Sequence, residues 1–374
     1  MKKKMITNKK IMVIATTDNM IWQFLLPHIK DLQSMGNTVE CVCAKTGFWF
    51  DELQTKFGLT CHEIPFQRNP FNFKTFKHYK ALKKLQKEQK YDLIYCQQAV
   101  GSVMGRLIAK KFKIPCIYTA HGFSFCEGSS KLKNFVYKTI EKFLAKYTTI
   151  LITMNDYDYN TAKKWKAKKV FKIDGIGYDK SKYDNEQISK VQMRKNLGLK
   201  DEFTIVTCAE YIKRKNYDTM LKTIAKLKDE DIKFLVCGTG KDKQLIENQI
   251  KELGIEDKVE LLGYRKDVNN IMNASDLFFL PSLQEGLTLS IIEAMNLGLP
   301  IVTSNVRGNK DLVENGENGF VCEKYDYEAF SKVIKSIMSD SNLAKQMSNR
   351  SKELAKKYSI ENVRKELNEI YKEI

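Results

Sequence analysis

The feature that most restricts the fold is an alternation. Short apolar, β-branched runs at 11–15, 38–44, 92–96, 115–119 and 150–154 are separated by longer stretches of helical period at 21–35, 73–89, 100–112 and 132–147. Parallel strands need a crossover, usually a helix, so this pattern predicts a parallel sheet with helices on both faces. A looser stretch with two glycines, 173–184, reads as an interdomain linker. The alternation then restarts, with strands at 203–208, 232–237, 259–261, 276–280 and 300–303 and helices at 217–228, 241–253, 288–296 and 327–338. The expected class is α/β, two doubly wound domains over 1–180 and 190–355, with a C-terminal helix over 356–374 packing back on the first. A chain of 374 residues has the length for two such domains. Ligands of these folds bind beyond the carboxyl ends of the strands, which places the expected site in a crevice that both domains face.

Composition excludes several classes. At 43% hydrophobic residues the chain can build real cores, so general disorder is excluded. No run approaches the ~18 apolar residues of a spanning helix. Residues 1–10 are basic, but the apolar run after them is only 11–15 before Asp18 interrupts, too short for a secretory signal; a cytoplasmic protein is expected. The nine cysteines form no C-x-x-C pair, and Cys41, Cys43, Cys96, Cys208 and Cys237 sit in apolar runs where thiols pack as small hydrophobes. The four histidines do not cluster, and neither a zinc site nor any other metal or cofactor is expected.

The charge is lopsided. Residues 1–188 hold 33 Lys+Arg against 16 Asp+Glu, net +17, whereas residues 189–374 hold 30 against 29, net +1. So one-sided a bias points to an anionic partner of the first half: phospholipid head groups, a phosphorylated acceptor or nucleic acid. A nucleic-acid binder would carry its cations on a recognisable module, and none is present, so nucleic acid is not the expected partner. The stretch 73–89 sets Phe73, Phe76, Tyr79, Leu82 and Leu85 at a near three-residue step among lysines 74, 77, 80, 84 and 87. It fits a basic helix lying on an anionic membrane and equally a covering helix packed on the sheet. The stretch 131–146 repeats the theme with Phe135, Tyr137 and Phe143.

The most informative segment is Pro281-Ser-Leu-Gln-Glu-Gly-Leu-Thr-Leu-Ser-Ile-Ile-Glu-Ala-Met295. It follows a strand and opens a helix, so the N–H groups from Gly286 through Leu287 and Thr288 to Leu289 should welcome a phosphate. Glu285 precedes that helix and Glu293 lies eight residues on, about two turns, with both carboxylates expected on one side. Taken singly, each acid reads as a surface charge. Two acids beside a phosphate cradle suit a nucleotide sugar.

The spacing E-x7-E, with G-L-x-L-S inside it, resembles the family 4 glycosyltransferases, retaining enzymes of the GT-B fold built from two Rossmann-like domains. The resemblance extends to Ala209-Glu-Tyr-Ile-Lys-Arg-Lys-Asn216, Val236-Cys-Gly-Thr-Gly240, Leu262-Gly-Tyr-Arg-Lys-Asp267, Ala120-His-Gly-Phe-Ser-Phe125 and Gly175-Ile-Gly-Tyr-Asp179. Within the family the chain looks most like bacterial transferases of capsule, exopolysaccharide and O-antigen synthesis. The resemblance implies that Glu285 contacts donor-sugar hydroxyls, Glu293 the ribose and Lys215 the diphosphate, with Arg214 a weaker second cation. His121 would lie by the donor sugar, Gly238 would let the backbone approach the nucleotide, and the Arg265 segment would meet the base. Two departures stand out. Ala209-Glu210 replaces the Gly-Arg step many members carry, and Thr16-Thr-Asp-Asn-Met-Ile21 replaces a paired-glycine loop after the first strand.

The expected activity is retaining transfer of a sugar from a nucleoside diphosphate sugar, UDP-linked, to a polyprenyl-diphosphate-linked saccharide, by an enzyme held at the inner face of the plasma membrane. No D-x-D carboxylate pair of the metal-dependent kind takes part. A nucleotide-sugar epimerase and a non-catalytic membrane- or nucleic-acid-binding protein are the alternatives.

Overall fold

The computed structural model describes residues 6–47, 49–66, 74–126, 130–181 and 188–374. They form two compact units, one of residues 1–177 with 360–374 and the other of residues 178–359. In the first, strands β1 (Lys10–Thr17), β2 (Thr38–Ala44), β3 (Thr60–Glu63), β4 (Leu93–Gln97), β5 (Cys116–Ala120), β6 (Ile150–Thr153) and β7 (Lys169–Lys172) build a sheet in the order β3-β2-β1-β4-β5-β6-β7. In the second, β8 (Phe203–Cys208), β9 (Ile232–Cys237), β10 (Val259–Gly263), β11 (Leu277–Leu280), β12 (Ile301–Ser304) and β13 (Gly319–Cys322) follow the order β10-β9-β8-β11-β12-β13. Every named strand pair is parallel. The order reverses between β1 and β4, and again between β8 and β11, which leaves an opening at the carboxyl end of each sheet. Continuous apolar runs such as Leu277-Phe-Phe-Leu280 are buried throughout, as strands covered on both faces must be.

Three strands, β3, β7 and β13, are absent from the sequence reading, and all three lie at sheet edges. An edge strand is covered less completely, and Thr60-Cys-His-Glu63 and Lys169-Val-Phe-Lys172, half or more polar, lack the apolar run that marks a central strand, whereas β13, Gly319-Phe-Val-Cys322, is apolar but follows directly on the Asn- and Gly-rich turn 315–318. The expected helix over 21–35 holds a π-helical turn, Ile21–Leu25, before its α-helical part, Leu26–Ser34. Of the linker stretch 173–184, residues 182–184 lie outside the described residues, and the units divide after Gly177.

The helix Lys74–Gln89 corrects the membrane-facing reading of its stripe; Phe73 lies outside the described residues. Leu82 is fully buried, and Tyr79 and Leu85 pack against the core of the first unit, so this is a covering helix that leaves Phe76 outside. The exposed apolar side chains lie instead on the helix Lys131–Ala145, where Leu132 is 74%, Phe135 69% and Phe143 46% exposed. The opposite face of that helix buries Glu141, which accepts from the fully buried Arg106 at 2.8 Å. The Arg106 guanidinium also lies 4.2 Å from the centroid of the Tyr118 ring and donates from Nε to Ser102 O, tying the helix Ala99–Phe112 to its neighbours. The helix Ile360–Tyr371 belongs to the first unit, where Arg364 grips both oxygens of Asp31 and Tyr371 meets the Tyr95 ring edge-on.

Candidate active site

Beyond the carboxyl end of β8 the chain makes a short 3-10 turn, Lys213–Lys215, and Asn216 then takes a left-handed conformation with φ 63°. Asn216 holds that turn in place, its Nδ2 donating to Pro281 O and Lys324 O. Two cations are thereby presented to the loop after β11. Lys215 Nζ donates to Glu285 Oε1 and Arg214 to Glu285 Oε2, both at 2.7 Å, and Arg214 also donates to Gln284 O at 2.9 Å. Glu285 is 7% exposed and Lys215 9%, whereas Arg214 is exposed. Burial alone would raise the Glu285 carboxyl, but the charges of Lys215 and Arg214 outweigh it and hold the group below the usual carboxylate range. The result is an ionised carboxylate and two cations with one positive charge in excess, a suitable reception for a diphosphate.

Glu285 is not helical. The helix Leu289–Leu297 has Thr288 as its N-cap, in extended conformation, so the expected placement of Glu285 and Glu293 by two helical turns does not hold. Glu293 is half-buried on that helix. Thr288 does not cap with its side chain; its hydroxyl bonds Asn309 Oδ1 at 2.6 Å, leaving the first-turn N–H groups beyond Gly286 and Leu287 without a side-chain cap.

The sequence reading missed the segment that braces this loop. Arg307, buried after β12, donates from Nε to Glu285 O at 3.0 Å. Asn309 Nδ2 donates to Thr303 Oγ1, which itself donates to Leu280 O. Between them Gly308, φ +82°, lies so near the loop that a Cβ there would come 2.1 Å from Gly286 O. Gly308 in a turn after a strand was the one available signal.

A Cβ on Gly238 would sit 1.9 Å from Ala209 O, so the close approach of the chain's own backbone already requires glycine at this turn. Gly238 N donates to Gly263 O, which joins the turn after β9 to the loop carrying Arg265. Arg265 is paired with Asp267 through Nε at 2.7 Å, leaving the neighbouring Tyr264 exposed. Glu210 is exposed.

His121 belongs to the first unit, at the carboxyl end of β5, whereas Glu285 belongs to the second. Its Nε2 donates to Gln97 Oε1 at 2.7 Å. Burial, with a smaller contribution from His28, pulls its pKa down to about 4, so the ring is neutral near pH 7 and Nδ1 carries its lone pair. Among the described residues no three His, Cys, Asp or Glu side chains gather as a metal site.

The model of the family described as Glycosyl transferases group 1 matches residues 189–354, and that of Glycosyl transferase 4-like matches residues 10–155. An Escherichia coli protein, UDP-Gal:alpha-D-GlcNAc-diphosphoundecaprenol alpha-1,3-galactosyltransferase, is 34% identical over 283 residues, 73% of each chain. The chain belongs to the group 1 glycosyl transferases. This glycosyltransferase is also 29% identical over 372 residues to the Bacillus subtilis (strain 168) protein EpsD, named as a glycosyltransferase, covering 97% of this chain and 96% of that one. Its fold is GT-B: the solved structure of Anabaena HepE in complex with UDP and glucose matches it with a TM-score of 0.81 at 19% identity, over 97% of this chain and 99% of that one.

Proposed function

We propose that this glycosyltransferase moves a sugar, with retention of anomeric configuration, from a UDP-linked donor to a saccharide carried on polyprenyl diphosphate during surface polysaccharide synthesis. The observation that carries the donor side is the Lys215–Glu285–Arg214 cluster at an uncapped helix start. In this reading Lys215 and Arg214 turn to the diphosphate and stabilise the charge that grows as the bond from the anomeric carbon to the diphosphate oxygen breaks. Glu285, released from the cations, orients donor-sugar hydroxyls. The acceptor hydroxyl forms the new bond on the face the diphosphate leaves, and its proton passes to the departing phosphate oxygen, so no protein nucleophile is required. Glu293 is assigned to the ribose, the Gly238 and Arg265 loops to the nucleoside, and His121 to the sugar. No metal or cofactor is assigned.

The UDP donor and the lipid-linked acceptor are supported by the Escherichia coli relative, whose name specifies both, and by the HepE complex with UDP and glucose. No helix of the described residues is long and apolar enough to cross a membrane. Attachment to the membrane surface is assigned to the helix Lys131–Ala145, whose exposed Leu132, Phe135 and Phe143 share a face with Lys142 and Lys146. The test is a donor panel scored for nucleoside diphosphate release with and without N-acetylglucosaminyl-diphosphoundecaprenol, the product's anomeric configuration being read by NMR. Acceptor-dependent UDP release with a retained anomer is expected. An inverted product, or nucleotide-sugar isomerisation without release, removes the reading.

A further inference from the structure

The loop after β1 departs from the family pattern, and the structure gives that departure a use. Asp18 is fully buried. Its Oδ2 accepts from Thr46 N and Phe50 N, each at 3.1 Å, and its Oδ1 accepts from Asn19 N and the Thr46 hydroxyl. One carboxylate thus fastens the segment after β2 onto the segment after β1. The chain beyond Asp18 runs into the π-helical turn Ile21–Leu25, a geometry that recurs at functional sites because it displaces one side chain from the helical register. Trp22 is on that turn. Its indole stacks on Trp49, at the start of the helix Trp49–Thr55, with ring centroids 3.7 Å apart and planes 27° apart. Neither ring is buried, although Trp165, the remaining tryptophan, is 8% exposed. Directly after β4, Gln98 holds φ 64°, an uncommon strain for a non-glycine residue, and accepts from Thr16 N at 3.3 Å. All of this lies at the carboxyl end of the first sheet, where strand order reverses between β1 and β4.

We infer that Trp22 and Trp49, locked together by Asp18, form the platform on which the acceptor's saccharide rests. Two stacked indoles present a rigid, flat, electron-rich surface whose cost in side-chain entropy is already met in the fold. A pyranose offers the complement: one face of C–H groups for the rings and a rim of hydroxyls for polar groups of the same end of the sheet, such as Thr16, Asn19 and Gln98. A nucleotide base would also stack, but the first unit is not where the donor cluster lies. The inference rests on the proposed transferase reaction for its ligand class and assigns the acceptor sugar to residues for which that reading had none.

The experiment compares Trp22→Ala, Trp49→Ala, Trp22→Phe and Trp49→Phe in the full chain. Transfer is measured with UDP-galactose and N-acetylglucosaminyl-diphosphoundecaprenol, donor hydrolysis is measured without acceptor, and tryptophan fluorescence is titrated with a panel of methyl glycosides. The alanine variants should raise the acceptor KM about tenfold or more while donor KM and hydrolysis stay within twofold, and the phenylalanine variants should recover most of the loss. Wild-type fluorescence should be quenched by at least one glycoside, and the quench should vanish in the alanine variants. An unchanged acceptor KM, a parallel fall of hydrolysis in the phenylalanine variants, or no quench by any glycoside overturns the inference. Failure of the transferase reading itself shows separately, as wild-type protein that releases no UDP in response to acceptor, or that isomerises the donor sugar without release.

Discussion

At the scale of single residues the assignments rest on charge. Glu285→Gln and Lys215→Ala should each lower kcat about a hundredfold, roughly 3 kcal/mol, because each removes an interaction that acts mainly in the transition state. Turnover near wild type in either variant, measured with donor and acceptor at saturation, would remove that residue from the reacting centre. Glu293→Ala should raise the donor KM more than it lowers kcat, since a ribose contact far from the breaking bond is largely uniform binding; a collapse of kcat alone would move it to the chemistry. His121 carries a pH signature. Its folded pKa of about 4 lies below the ordinary histidine value of 6.5, so between those values the unfolded chain binds more protons. Stability should therefore fall as pH drops from about 6.5 to 4, by up to about 3 kcal/mol, and level off below. His121→Gln should flatten that slope in urea titrations at successive pH values; an identical slope would place the group elsewhere. Glu285 and Lys215 were singled out by the resemblance of their motifs to the family pattern rather than by the residues taken singly, and the structure pairs them. Arg307 was not, because nothing distinguishes one arginine in a loop until the carbonyl it meets is known.

At the scale of elements, function depends on how tightly one loop is held against another. Gly308→Ala would drive a methyl group into Gly286 O and force a side chain into the left-handed region. The expected result is a fall in kcat/KM of tenfold or more at a cost of about 1–2 kcal/mol in stability, read by kinetics beside urea melts. Unchanged kinetics would mean that the brace does not set the position of Glu285. The Arg106–Glu141 tie makes a second case. Glu141→Ala leaves a fully buried guanidinium without its carboxylate and should cost about 3–5 kcal/mol, whereas Arg106→Met with Glu141→Leu should recover much of it. Equal melting midpoints for the single and double variants would contradict that. The central strands and their crossover helices could be read from apolar runs alone, since both faces are covered. The edge strands β3 and β7 could not, because half or more of their residues are polar, and β13 could not, because its four apolar residues follow directly on the Asn- and Gly-rich turn 315–318. Periodicity also failed to separate a membrane-facing stripe from a core-facing one; burial of Leu82 and exposure of Phe135 made that distinction.

At the scale of the molecule, the proposed attachment to a membrane surface draws on the net +17 of residues 1–188 and on the apolar face of the helix Lys131–Ala145. Liposomes containing anionic lipid should sediment the protein, and the bound fraction should drop with salt, because each lysine near such a surface contributes only about 1 kcal/mol and is screened. Changing Leu132 and Phe135 to Ser with Lys142 and Lys146 to Gln should abolish binding, while Lys77, Lys80 and Lys84 to Gln should weaken it only slightly. Equal binding to neutral liposomes, or no loss in the first variant, would remove this helix as the anchor. The arrangement of the first unit has another consequence, in the order of synthesis. The helix Ile360–Tyr371 is part of that unit, yet it leaves the ribosome only after residues 178–359 have been made. Until then Asp31 lacks Arg364, and Tyr95 lacks the ring of Tyr371. The first unit to be translated is therefore the last to be finished, and a chain broken off before residue 360 carries a complete second unit beside a first one that proteases can recognise as open.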